Sequence, residues 1–84
     1  MKIVWDEPKR QANLAKHGLD FADLDLTFFG TAVVRPSHTG RFLAFGRFAA
    51  VGAIAVVFRP LGSEAIGIVS MRPARRDERR LIDE

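Results

Sequence analysis

The chain contains no cysteine and no tyrosine. The lack of cysteine excludes a disulfide framework and any thiolate metal site. Histidine is nearly as scarce. His17 and His38 stand far apart, which argues against zinc, so neither a metal nor a cofactor is expected. Long hydrophobic runs are also missing. The longest nearly apolar stretch, Phe48 to Phe58, is too short to cross a bilayer, and no membrane association is expected. Lys2 is followed soon by Asp6 and Glu7, which is not a leader pattern, so the expected location is cytoplasmic. Acids are absent from a long central segment. Leu26 to Ser63 holds no Asp or Glu but includes Arg35, Arg41, Arg47 and Arg59, so that segment alone is +4. Two explanations stand level: a polyanionic ligand such as nucleic acid, or arginines that simply face outward along strands.

What is present describes a single domain over residues 1–84. With 84 residues and 48% hydrophobic content, the chain can bury one small core with little stability to spare. Lys2 to Asp6 reads as a short strand with Ile3 and Trp5 on one face. Asp6 offers a carboxylate to the following turn, Pro8 suits a first helical turn, and Gly18 can close the helix in the left-handed conformation. Lys16 and His17 then lie where the helix dipole favours positive charge. Asp20 is positioned to cap a second helix through "FADLDLTFF", with Phe21, Leu24 and Phe28 as its buried stripe. Four strands follow, separated by turns at Ser37–Gly40, near Gly52, and at Pro60–Gly62. Pro73 ends the last strand ahead of a short terminal helix. The order β-α-α-β-β-β-β-α predicts an α+β domain, with helices on a small antiparallel sheet.

The C-terminal stretch "SMRPARRDERRLIDE" holds Arg72, Arg75, Arg76, Arg79 and Arg80 beside Asp77, Glu78, Asp83 and Glu84. Balanced charge of this kind often serves only as a solvated helix face. In a regular strand Ile66, Ile68, Ser70 and Arg72 share one face, which would set Arg72 at the strand end beside the last helix. There its fork can bind two phosphate oxygens.

Several stretches carry a resemblance that covers almost the whole chain. "WDEPKRQANLAKHGLDFADL" resembles the opening of BrnT-type toxins, with Asn13, Lys16, His17, Gly18 and Phe21 at the family spacing. Arg41, Gly46 and Arg47 are similar to the family's R-x-x-x-x-G-R strand. "IVSMRPARRDERR" is similar to its close, with Ser70, Arg72, Ala74, Glu78 and Arg79 in register. Such proteins are the toxin halves of bacterial type II toxin–antitoxin pairs and resemble the RelE-like ribonucleases. The resemblance implies a RelE-like fold, RNA as substrate, blocked translation, and a BrnA-like antitoxin that links the complex to DNA. It also leaves room for a homodimer within that complex. The chain departs from the family pattern at Gly67, where arginine is common, at Phe58, where tyrosine is common, and in lacking a tyrosine near the C-terminus.

Metal-free RNA cleavage needs a base, an acid and cations for the developing charge. Arg72 is the expected catalytic cation. His17 is a candidate base or acid, although a histidine at a helix end also simply caps carbonyls. Glu78 is the alternative base, against pairing within its own helix. Lys16, Arg47, Arg75 and Arg79 are candidate RNA contacts. Trp5 is a candidate stacking platform, against a plain core role. Arg76 and Arg80 read as solvated face or partner contact, and His38 as surface. Two other functions remain open. One is a non-catalytic nucleic-acid-binding module. The other is an interaction protein that offers the apolar strands Arg41–Phe48 and Ala53–Phe58 to a partner.

Overall fold

The computed structural model describes residues 1–83. Strands β1 (Lys2–Trp5), β2 (Val33–Pro36), β3 (Phe42–Phe48), β4 (Gly52–Leu61) and β5 (Ala65–Pro73) form one sheet in the order β1-β5-β4-β3-β2. Helix α1 covers Glu7–His17, α2 covers Leu26–Thr31 and α3 covers Arg76–Asp83. From β2 to β5 the chain runs as the expected antiparallel meander. β1 instead lies parallel to β5, pairing Lys2 with Ala65 through Trp5 with Ile68. The sheet is therefore mixed, because the first strand joins the last one with the helices and strands β2 to β4 between them rather than a hairpin.

Gly18 closes α1 as expected, at φ 70°, with its N–H donating to the Leu14 carbonyl. Asp6 occupies the N-cap position, but its carboxylate caps nothing. The expected second helix is broken in two. Asp20 accepts the Ala22 N–H and caps only a 3-10 turn at Phe21–Asp23, while Asp25 accepts the Phe28 N–H and starts α2. Two capping aspartates so close together nucleate separate turns. Phe21, Leu24 and Phe28 are nonetheless all buried.

Those three side chains pack on one face of the sheet against Ile54, Val56, Phe58, Ile66, Ile68 and Met71. Gly46 is required there, since a Cβ at that position would lie 2.8 Å from Cε1 of Phe28. On the other face α3 lies over β3 and β4, where Phe45, Ala53 and Ala55 are buried. It covers only one end of that face. Toward the other end Val4 and Arg59 are exposed, and Gly67 is only partly covered.

A β-bulge overturns the expected alternation in β5. The register steps from Val57↔Ser70 to Phe58↔Ile68, which leaves Val69 as an extra residue. Ile66, Ile68 and Met71 therefore face the main core, while Ser70 and Arg72 lie opposite Val57 and Ala55 on the α3 side. One inserted residue reverses the facing of everything beyond it. Without the bulge, Arg72 would point its charge into the apolar core and Met71 would leave it.

Candidate nucleic-acid interface

β1 pairs with β5 only as far as Ile68. Beyond it, α1 takes the place of a neighbouring strand along β5. Asn13 makes the join. Its buried Oδ1 accepts the Met71 N–H at 3.1 Å, and its Nδ2 donates to the Leu19 carbonyl at 3.2 Å. One side chain thus satisfies an edge N–H and ties down the chain that follows α1. Lys9, Asn13, Lys16 and His17 fall on one helical face. Lys9, Lys16 and His17 therefore meet Ser70 and Arg72 across a depression of about 430 Å³. A second depression of about 240 Å³, bordered by Trp5, Asp6, Arg41, Arg59 and Gly67, shares Lys9 and Val69 with the first. The two form a continuous groove. Its cations are Lys9, Lys16, Arg41, Arg59 and Arg72, and its one lining acid among the described residues is Asp6.

Arg72 is held rigidly. Nη1 and Nη2 donate to the two oxygens of Glu78 at 2.7 and 2.9 Å, and Nη1 also donates to the Pro73 carbonyl at 3.3 Å. Glu78, only 4% exposed, further accepts the Arg75 backbone N–H at 2.9 Å, half of a capping box at the start of α3. The Arg72 hydrogen bonds, helped by the Arg75 N–H, overcome burial and hold the Glu78 carboxyl down at about 2. So weak a base, with its oxygens already occupied, is poorly suited to taking a proton. The same hydrogen bonds raise the Arg72 guanidinium above its ordinary value. A guanidinium has five N–H donors. Glu78 takes the end-on fork and Pro73 one more donor, so Nε–H and the second Nη2–H remain uncommitted among the described residues. That side-on fork matches two phosphate oxygens.

The groove gathers Trp5, Lys16, His17 and Arg72. Trp5 is half-buried, and its indole N–H donates to Glu7 Oε1 at 3.1 Å. Arg75 lies outside the groove, its exposed side chain turned to Glu78 at 3.2 Å and Asp77 at 3.7 Å. Arg79 is exposed on α3 and also lies outside the groove lining. Arg47 lines a different depression, with Asp23 and Asp25. Lys9, Asn13, Arg41 and Arg59 were not among the expected site residues. The +4 segment was the available signal for the two arginines, and the helical stripe for the other two. The apolar strands do not offer a partner face, because Phe45, Ala53, Ile54, Ala55, Val56 and Phe58 are consumed by the protein's own packing. Among the described residues no cluster of three or more His, Asp or Glu could hold a metal ion, and no helix is long and apolar enough to cross a membrane.

A cationic groove beside an aromatic, on the rim of a small α+β sheet, defines a domain suited to single-stranded polyanions. The profile of the family described as "Ribonuclease toxin, BrnT, of type II toxin-antitoxin system" matches residues 5–78, and the chain belongs to that family. The crystal structure of the Brucella abortus ribonuclease toxin, BrnT, is similar, with 56% sequence identity and a TM-score of 0.85 over 90% of this chain and 99% of that one. No match was found among curated proteins.

Proposed function

We propose that the protein is a metal-independent endoribonuclease that blocks translation, with the groove between α1 and β5 as its active site, and that a cognate DNA-binding antitoxin neutralises it. The observation that carries this is Arg72. Its end-on fork is locked by a buried carboxylate, its side-on fork has no partner among the described residues, and Arg72 lines a cleft that also holds an imidazole. A donor fixed before the substrate arrives stabilises developing charge without reorganising.

In the proposed reaction His17 takes the proton of a ribose 2′-hydroxyl. The 2′-oxygen bonds to the adjacent phosphorus, and the bond from phosphorus to the 5′-oxygen breaks. The departing oxygen receives a proton from the imidazolium or from water. The products are a 2′,3′-cyclic phosphate and a 5′-hydroxyl. Arg72 grips the non-bridging oxygens while Lys9 and Lys16 hold neighbouring phosphates. Glu78 acts as a positioning residue through Arg72 rather than as the base. Val4 and Leu61 are exposed at the groove's far end, and an antitoxin seated there covers both the apolar edge and the cations.

The test is RNA cleavage by purified protein in EDTA. The expected result is cleavage that leaves cyclic phosphate ends. Cleavage lost in EDTA and restored by Mg²⁺ overturns metal independence. Salt-sensitive binding with no cleavage favours a non-catalytic binding module.

A further inference from the structure

The smaller depression contains a carboxylate that the cleavage chemistry does not use. Asp6 sits at the N-cap of α1, where an aspartate ordinarily accepts a backbone N–H. Asp20 and Asp25 do so at their turns, each at 2.9 Å. Asp6 does not, and among the described residues its carboxylate has no hydrogen-bond or ion-pair partner. Lys9, Arg41 and Arg59 line the same depression and are likewise unpaired. This contrasts with Arg10, Arg72 and Arg75, each of which is paired to a carboxylate. Gly67 forms part of the floor. A Cβ there would come within 3.2 Å of Leu61 Cδ1 and 3.5 Å of the Arg59 carbonyl, so its lack of a side chain lets Leu61 pack against the strand at the edge of the depression.

We infer that this depression is the base-reading subsite of the groove, and that Asp6 makes guanine its preferred base. The inference rests on the ribonuclease reading only for the path of the RNA. A ligand that satisfies the site must be an anion at the arginines and a hydrogen-bond donor at Asp6, since a carboxylate only accepts. A nucleotide meets both demands. Guanine alone among the bases presents two adjacent donors, N1–H and the 2-amino group, to the two carboxylate oxygens. Adenine and cytosine place an acceptor nitrogen beside their amino group, and uracil flanks its single donor with carbonyls.

Trp5 is the sole tryptophan and borders this depression, so its fluorescence reports occupancy. The probes are trinucleotides methylated at every 2′-oxygen, U-G-U, U-A-U, U-C-U and U-U-U, which cannot be cleaved. U-G-U is expected to half-saturate at a concentration roughly ten- to a hundredfold below U-U-U, the discrimination of one bidentate base contact. Asp6→Asn, which keeps a good N-cap residue, is expected to abolish that preference while U-U-U still binds. Equal binding of all four by the parent, or an unchanged preference in Asp6→Asn, overturns the role of Asp6. No fluorescence change with any probe overturns the subsite. A guanine preference in a protein that cleaves no RNA sinks the ribonuclease reading and leaves the subsite standing.

Discussion

Replacing Glu78 by glutamine removes one charge and little volume, so its effect measures what the carboxylate does. The folded carboxyl titrates at about 2 instead of 4.5. At about 1.4 kcal/mol for each pH unit, that difference is worth about 3 kcal/mol. Because the folded value is depressed, the contribution is complete above about pH 4.5 and is lost as pH falls toward 2; about 2 kcal/mol of it is gone by pH 3. Glu78→Gln should therefore cost about 3 kcal/mol at pH 7, where Arg72 faces a neutral amide. In a domain whose whole stability is about 5–15 kcal/mol, this lowers Tm by roughly 10–20 °C. Urea unfolding followed by circular dichroism, for parent and variant at pH 7 and pH 3, reads the effect. Asp20, held low by Arg10, and Glu7, held low chiefly by Gln11 and Trp5, titrate in both proteins, so the gap between the two isolates Glu78. That gap should shrink as pH falls. A gap independent of pH, or one under about 1 kcal/mol at pH 7, refutes the reasoning.

Three further outcomes are expected. Asn13→Leu orphans the Met71 N–H and the Leu19 carbonyl; at about 1–3 kcal/mol for each, it should destabilise by several kcal/mol in urea and speed amide exchange at Met71. Gly46→Ala, with its Cβ 2.8 Å from Phe28, should cost about 1–3 kcal/mol, and adding Phe28→Leu should recover part of that in thermal melts. RNA affinity should fall with salt at a log–log slope near about −3 if Lys9, Lys16, Arg41 and Arg59 each neutralise one phosphate. Lys9→Ala should reduce the slope's magnitude by about 0.7, as measured by fluorescence anisotropy.

Most local signals that acted alone were legible in the sequence, the uncapping Asp6 excepted. Gly18 closes α1, Phe21, Leu24 and Phe28 are buried, and β2 to β5 form a meander. Competing signals were not resolved. Asp20 and Asp25 both cap, and nothing in their spacing says that they divide one helix between them. Parallel pairing of β1 with β5 depends on contacts between opposite ends of the chain, which local pattern does not report. The bulge at Val69 has no mark in "IVSMR", yet it decides which way Arg72 points. The groove was half legible: the acid-free segment flagged Arg41 and Arg59, but their meeting with Lys9 needed the fold. The sequence also paired Glu78 with an arginine of its own helix region, and Arg75 does meet it at 3.2 Å, but its bidentate partner, Arg72 on β5, needed the fold.

The most direct test of the central claim is the single-turnover cleavage rate of Arg72→Ala and Arg72→Lys in EDTA, with folding verified by urea unfolding. Arg72→Ala should lose about 10²–10³-fold in rate. Arg72→Lys should recover only part of that loss, because an ammonium lacks the second prong. RNA binding should weaken far less than the rate in both variants. A folded Arg72→Ala protein that cleaves RNA at the parent's rate contradicts the account.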